Sequence, residues 1–240
     1  MELVGRFCYM LVKTDAIILH LQKYKDNTSI LHAFTNDYGR INFIAYGVGG
    51  KKGKIPNAYF IPLNRAECVF NYNSTKTIQQ LKEINIKHYN NIESDIYKSS
   101  VSLFIAEVLY NILIHPQPDN RLYLFIENII DELNKSQYIS NLNIYFLLHL
   151  ADYLGITPDI YEQDSLFNLT SSDTFISDSN YYLTTQEIHF LRHIYDNYQI
   201  NEINRQERQT LINKLCIYFE NQIDFFKRPK SIDILRQMFD

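Results

Sequence analysis

Near residue 92 the hydrophobic pattern of this chain changes period, and that change restricts the fold more than any single motif does. Upstream, short runs rich in Ile, Leu and Thr alternate sides as strands do: 11–21 (LVKTDAIILHL), 28–35 (TSILHAFT), 40–47 (RINFIAYG), 59–72 (YFIPLNRAECVFNY) and 76–86 (KTIQQLKEINI). Turn material separates them at Lys25-Asp26-Asn27, at Asn36-Asp37-Tyr38-Gly39, where glycine admits positive φ, and at 71–75. In the third run Ile41, Phe43 and Ala45 alternate with Asn42, Ile44 and Tyr46, giving one core face and one outer face. Pro62 requires a bend or an edge position in the fourth. Five such strands in so short a stretch fit a small closed or nearly closed barrel.

Downstream the period is helical. Residues 95–115 carry apolar side chains at 101, 104, 105, 108, 109 and 112, one face of a helix that Pro116 and Pro118 stop. Further helices are expected at 120–135, at 141–154 (capped by Ser140, ended by Gly155), from Thr184 with Glu187 completing a capping box, at 205–226 and at 231–239. The polar stretch 156–183 reads as an irregular insertion, a loop or weak hairpin. The chain is therefore expected to be α+β: an extension over 1–9, a five-stranded barrel over 10–88 and an all-α helical domain over 89–240.

The net charge of −4 hides a division. Residues 1–87 hold 12 Lys/Arg against 6 Asp/Glu, a net of +6, and the remainder holds 11 against 21, a net of −10. Such asymmetry fits a nucleic-acid-facing half joined to a half that faces something else, though chance variation between domains gives the same pattern. No run approaches the ~18 apolar residues of a membrane span, and MELVGRFCYM has no basic stretch followed by an apolar core. Three widely spaced cysteines, Cys8, Cys68 and Cys216, argue against a disulfide framework and for a reducing, cytoplasmic setting.

The most informative segment is Gly47-Val48-Gly49-Gly50-Lys51-Lys52-Gly53-Lys54, between two strands. It is not a P-loop, because Lys52 stands where Ser or Thr is needed. Its lysines can meet phosphates while its glycines admit a close strand; a solvated loop that contacts nothing is the alternative. Lys23, Lys25, Arg40, Arg65 and Lys76 fall at or near strand ends, interleaved with Tyr38, Phe43, Tyr46 and Tyr59. Basic grooves with aromatic platforms bind single-stranded nucleic acid. Phe34 and Phe43 are expected in the core, whereas Tyr46 and Tyr59 fit either role.

Other chemistry has less support. His189 and His193 stand i, i+4 on one helix with Glu187 near, but no third ligand has a helpful spacing, so no metal or other cofactor is expected. There is no G-x-S-x-G, no C-x-x-C and no paired-carboxylate motif, so no catalytic residue is assigned and no enzyme is expected. Lys227-Arg228-Pro229-Lys230 is a basic break in an acidic half; it can engage an acidic peptide or simply compensate the dipole of the preceding helix.

From Met10, MLVKTDAIILHLQKYKDNTSILHAFTNDYGRINFIAYGVGGKK resembles the opening of the bacterial RecO family of recombination mediators. The likeness continues through Pro62-Leu63 and the LLHLADYLGITPD stretch at 147–159, and ends in Lys227-Arg228-Pro229-Lys230-Ser231-Ile232-Asp233-Ile234-Leu235, with Pro229 where leucine is usual. Residues 1–9 precede the usual start, which makes Met10 a candidate initiator. The resemblance implies an OB-fold barrel and a helical domain, binding of single- and double-stranded DNA, and strand annealing. It also implies action with RecR to load RecA onto strands covered by single-stranded-DNA-binding protein, whose acidic tail docks on the helical domain. Carried over, Lys13, Arg40, Lys51 and Lys52 are DNA-binding positions, joined by Lys23, Lys25, Tyr46, Lys54, Arg65 and Lys76 from the barrel reading. Lys227, Arg228 and Lys230 are the positions for the tail. Many relatives carry a cysteine zinc module after the L-G-x-x-P-D motif; here Pro158-Asp159 is followed by no cysteine, so no zinc is expected there. Competing readings are an OB-fold single-strand or RNA-binding protein of another pathway, a nucleic-acid hydrolase using His189 and His193, and a protein-binding adaptor.

Overall fold

The computed structural model describes residues 10–48, 55–88, 95–160, 166–170 and 178–238. The chain divides into two compact units: Met1–Asn91 with Leu113–Phe125, and Ile92–Ile112 with Ile126–Asp240.

The first unit is a closed barrel of β1 (Met10–Lys25), β2 (Thr28–Thr35), β3 (Gly39–Tyr46), β4 (Arg65–Tyr72) and β5 (Ile78–His88), in the order β1-β2-β3-β5-β4. This is the OB-fold, with β3 and β5 parallel and the other pairs antiparallel. At 16 residues β1 is twice as long as β2 and serves both sides: Met10 to Ile17 pair with β4, Ala16 to Lys25 with β2. A register shift between Ile18 and His20 bends it. There the backbone of Ile18 is satisfied from outside the sheet, its N–H donating to Asn64 O (2.9 Å) and its carbonyl accepting from Leu63 N–H (2.7 Å).

Pro62 accounts for where β4 begins. It has no N–H to give a ladder, and Leu63 after it takes a left-handed conformation (φ 64°). The run expected as one strand from 59 is instead a 3-10 turn, Asn57–Phe60, a bend, and then β4 from Arg65. Inside the barrel Phe43 and Phe70 pack edge to face at 5.0 Å, and the small residues Ala16, Ala33, Ala45 and Ala66 leave room for them. Phe34 is buried, as expected, but on the outer side of β2 against Tyr123 (5.8 Å).

The second unit contains α1 (Ile96–Ile112), α3 (Leu142–Leu154), α4 (Thr185–Asp196), α5 (Arg205–Gln222) and α6 (Ser231–Met238); α2 (Asn120–Lys135) begins in the first unit and continues here. All six expected apolar positions of α1 are buried. Gly155 ends α3 in the left-handed region (φ 69°), with Gly155 N–H and Ile156 N–H donating to Asp152 O and Ala151 O. The start of α3 differs from expectation: the cap is Asn141, not Ser140, and its side chain does not cap at all. Buried Asn141 Nδ2 instead donates to Tyr198 O (3.0 Å) and Ile200 O (2.8 Å). Thr184 and Glu187 form the expected capping box, and Asn204 with Glu207 form a second at the head of α5. That helix ends at Gln222 rather than 226. Within 156–183 the described residues form a minimal hairpin, β6 (Phe167–Asn168) with β7 (Tyr182–Leu183).

Candidate nucleic-acid interface

The register places outward side chains of four strands in parallel rows. Gln22, Ile30, Ile44 and Gln80 make one row, and His20, His32, Asn42 and Ile78 the next; Tyr46 lies beyond, opposite Thr28. No carboxylate belongs to either row. Below them, Ile17, Phe34 and Arg40 are the third row, and the segment Leu113–Phe125 lies over it. Arg40 Nη1 donates to Leu113 O (2.9 Å), Phe34 meets Tyr123, and Gly39 lies so near Gln117 that a Cβ would come within 2.3 Å of its carbonyl oxygen. That segment covers the lower part of the face, and in the upper rows His20, Gln22, Ile78 and Gln80 are exposed.

Two turns border the open rows. At the end of β1, Lys23, Tyr24 and Lys25 are exposed, with Lys25 Nζ 5.5 Å from the Tyr24 ring. Between β4 and β5, buried Gln79 fixes the turn: its Oε1 accepts from Asn73 N–H, and its Nε2 donates to Asn73 O and Lys76 O. Ile44, Tyr46, Lys76, Ile78 and Gln80 line a shallow depression between this turn and the rows. Tyr46 is 54% exposed and Tyr24 57%, so both rings are available for stacking.

The candidate residues thus separate into groups. Lys23, Lys25, Tyr46 and Lys76 lie at the open rows. Lys51, Lys52 and Lys54 fall outside the described residues. The described residues on either side are held near the β1–β2 turn: Gly47 N–H donates to Asn27 O (2.9 Å), Ile55 N–H to Gly47 O (3.1 Å), and Val48 bridges Ile55. Arg40 Nη1 is engaged by Leu113 O, and its Nη2 lies 3.3 Å from His32 Nδ1. Lys13 lies on the β1–β4 surface, 2.8 Å from Glu67, where Lys87 also meets Asp15 (2.5 Å) and Glu67 (3.8 Å). Arg65 is half-buried between Ile17 and His88. Of the interleaved aromatics, Phe43 is core, and Tyr38 is half-buried against Phe70 and Tyr72. Tyr59 is half-buried as well. Tyr24 was missed because the strand was read as ending at 21; its signal is the Lys-Tyr-Lys triplet itself.

His32 sits at the centre of the second row, 7% exposed, with Nδ1 2.6 Å from Asn42 Oδ1 and its ring stacked on His20 at 5.9 Å. Burial, with Arg40 and His20 adding to it, holds this imidazole below its ordinary value despite the Asn42 contact.

In the helical unit, the side chains of Lys227, Arg228 and Lys230 are exposed, and their backbone is held: Asn111 Nδ2 donates to Lys227 O (2.7 Å), and Lys230 N–H to Glu107. Arg228 lies 3.5 Å from Glu220. A separate pocket, absent from the sequence reading, places Arg205, Arg208 and Arg236 around Ile212, Ile232 and Leu235. Burial and then Arg205 hold the Arg208 guanidinium below its ordinary value, and its Nη1 donates to Ile203 O (2.5 Å). Both described cysteines are buried, and burial pushes the Cys68 and Cys216 thiols up to about 12, which disfavours the thiolate. No helix among the described residues is long and apolar enough to cross a membrane.

Comparison with known proteins agrees with this architecture along the chain. The family model described as Recombination protein O N terminal matches residues 10–90, and that described as Recombination protein O C terminal matches 93–230. Similar curated proteins are the DNA repair protein RecO of Flavobacterium psychrophilum (29% identical over 239 residues) and of Flavobacterium johnsoniae (29% over 237). Another is that of Bacteroides fragilis (27% over 243); each alignment covers 96% of this chain and 100% of the relative. With both family models matched in order over most of its length, the chain belongs to the RecO family of DNA repair proteins.

Proposed function

We propose that this chain is a non-enzymatic DNA-binding mediator of recombinational repair, and that DNA lies on the upper rows of the barrel. The observation that carries this is the joining of exposed Tyr46 and Ile78 and half-buried Ile44 with Lys76 in one depression, with Lys23 and Lys25 at the neighbouring turn. Bases stack on the aromatic and apolar side chains while the lysines meet phosphates, so the chain holds single strands with little sequence preference. Two complementary strands held this way anneal. Double-stranded DNA binds through the same lysines, with phosphate contacts alone.

The partners that fit are those of the family: RecR, and single-stranded-DNA-binding protein through its acidic tail, so that RecA loads onto the cleared strand. Lys227, Arg228 and Lys230 are one place for the tail. The pocket of Arg205, Arg208 and Arg236 has the better chemistry, because it combines guanidinium groups with an apolar floor and its lining holds no carboxylate. Each place holds one guanidinium that already faces a carboxylate, Arg228 at 3.5 Å from Glu220 and Arg236 at 3.8 Å from Asp233.

The test is fluorescence anisotropy of labelled single-stranded DNA across a salt series, with wild type beside Lys51→Ala/Lys52→Ala/Lys54→Ala. Salt-sensitive binding that weakens and loses slope in the triple variant supports DNA at this end of the barrel. No binding by wild type at low salt removes the reading and leaves a protein adaptor.

A further inference from the structure

The sequence shows His189 and His193 without a third ligand; the fold supplies one. Helix α4 holds the two imidazoles one turn apart, with ring centroids 4.0 Å from each other. Glu202, in the connection between α4 and α5, brings Oε2 to 3.1 Å from His193 Nδ1. One donor atom from each of the three side chains lies within 4.8 Å of the others. A tetrahedral ion with bonds of about 2.0–2.1 Å needs its donors roughly 3.4 Å apart. Small rotations of exposed side chains close that difference.

The backbone beneath Glu202 is held from two sides. Asn141, buried, donates to the carbonyls of Tyr198 and Ile200, and Arg208 donates to that of Ile203. Two basic side chains of α4 and α5 are engaged elsewhere: Arg192 Nε donates to Ile160 O (2.5 Å), and Lys214 holds Glu187 (2.7 Å). A His193–Glu202 pair this exposed, 42% and 55%, contributes little to stability by itself. Three donors thus converge between one turn of α4 and a connection whose neighbouring carbonyls are held.

We infer that His189, His193 and Glu202 form a binding site for a divalent first-row transition ion of the zinc class, which braces α4 to the connection that follows it. Two imidazoles and one carboxylate suit Zn²⁺ and its neighbours and not the oxygen-seeking Mg²⁺ or Ca²⁺. Water completes the coordination. The site contains no cysteine and is independent of the DNA-binding reading.

Untagged full-length protein, stripped with chelator and titrated with Zn²⁺ in a calorimeter, tests it. The expected result is one ion per chain, with affinity reduced at least tenfold in His189→Ala and in His193→Ala and clearly reduced in Glu202→Gln. Co²⁺ added to wild type gives visible d–d absorption that His189→Ala abolishes. Far-UV circular dichroism checks that the variants fold; should a histidine variant fail, Glu202→Gln carries the comparison. No uptake by wild type, or uptake that all the variants leave unchanged, overturns the inference.

Discussion

Glu107 caps a helix that starts more than a hundred residues after it: its carboxylate accepts from Ser231 N–H (2.9 Å) and Ser231 Oγ (2.7 Å), and from Lys230 N–H (2.9 Å). One α1 side chain thereby satisfies the first donors of α6 and sets a negative charge at that helix's positive end. Glu107→Ala should lower unfolding stability by about 2–3 kcal/mol, and Glu107→Gln by less, because an amide oxygen still accepts. Urea midpoints measure both; an unchanged midpoint for the alanine variant means the contact is not made.

Tyr46→Ala should weaken single-stranded DNA binding by about 1–3 kcal/mol, the range for one stacked base. Lys76→Ala should reduce the slope of log affinity against log salt by roughly 0.7. Lys13→Ala should change neither, since that ammonium is compensated by Glu67. Equal losses in Lys13→Ala and Lys76→Ala would move the DNA off the rows described.

His32 predicts an acid-dependent loss of stability. Its folded value lies below the unfolded value of about 6.5, so the unfolded chain takes the proton first. The stability linked to neutral His32 is complete above about pH 6.5 and falls as pH drops toward the lowered folded value. Urea midpoints compared between about pH 7 and about pH 5 should fall less in His32→Asn than in wild type.

Gly39 has φ 65°, and a Cβ there would meet the Gln117 backbone at 2.3 Å. Gly39→Ala should therefore destabilise the first unit by about 2–4 kcal/mol, combining left-handed strain with overpacking. Thermal unfolding is a sufficient readout, and a melting temperature equal to wild type would contradict the contact.

Cys68 and Cys216 should both resist iodoacetamide in the native chain and react once it is denatured, because each is buried and its thiolate is disfavoured. Peptide mass spectrometry reads each site separately. Native labelling of Cys68 would mean that the barrel opens.

Local features were legible in the sequence because local chemistry determines them. The bounds of β2 follow from its apolar run, the end of α3 from Gly155, and the start of α4 from the Thr184–Glu187 box. Features made by distant residues left no trace. Pro116 and Pro118 mark the end of a helix, but nothing nearby shows that the segment after it covers Phe34 and engages Arg40. A lysine in a strand reads as available for phosphate whether or not a Glu67 lies across the sheet, which is how Lys13 and Lys76 looked alike. Asn141 was passed over for Ser140 because both cap helices well, and only the packed fold shows Asn141 serving the carbonyls of Tyr198 and Ile200.

The segment Leu113–Phe125 bears on how the protein can be dissected. A fragment cut at residue 88 contains every strand of the barrel yet lacks part of its covering. Phe34, 1% exposed in the whole chain, loses its Tyr123 neighbour there, and Arg40 loses the carbonyl it holds. That fragment presents a sticky aromatic and a guanidinium that has lost its Leu113 acceptor. Self-association and DNA retention measured on it would report on the cut surface, so the intact chain is the reagent for assigning either property to the barrel.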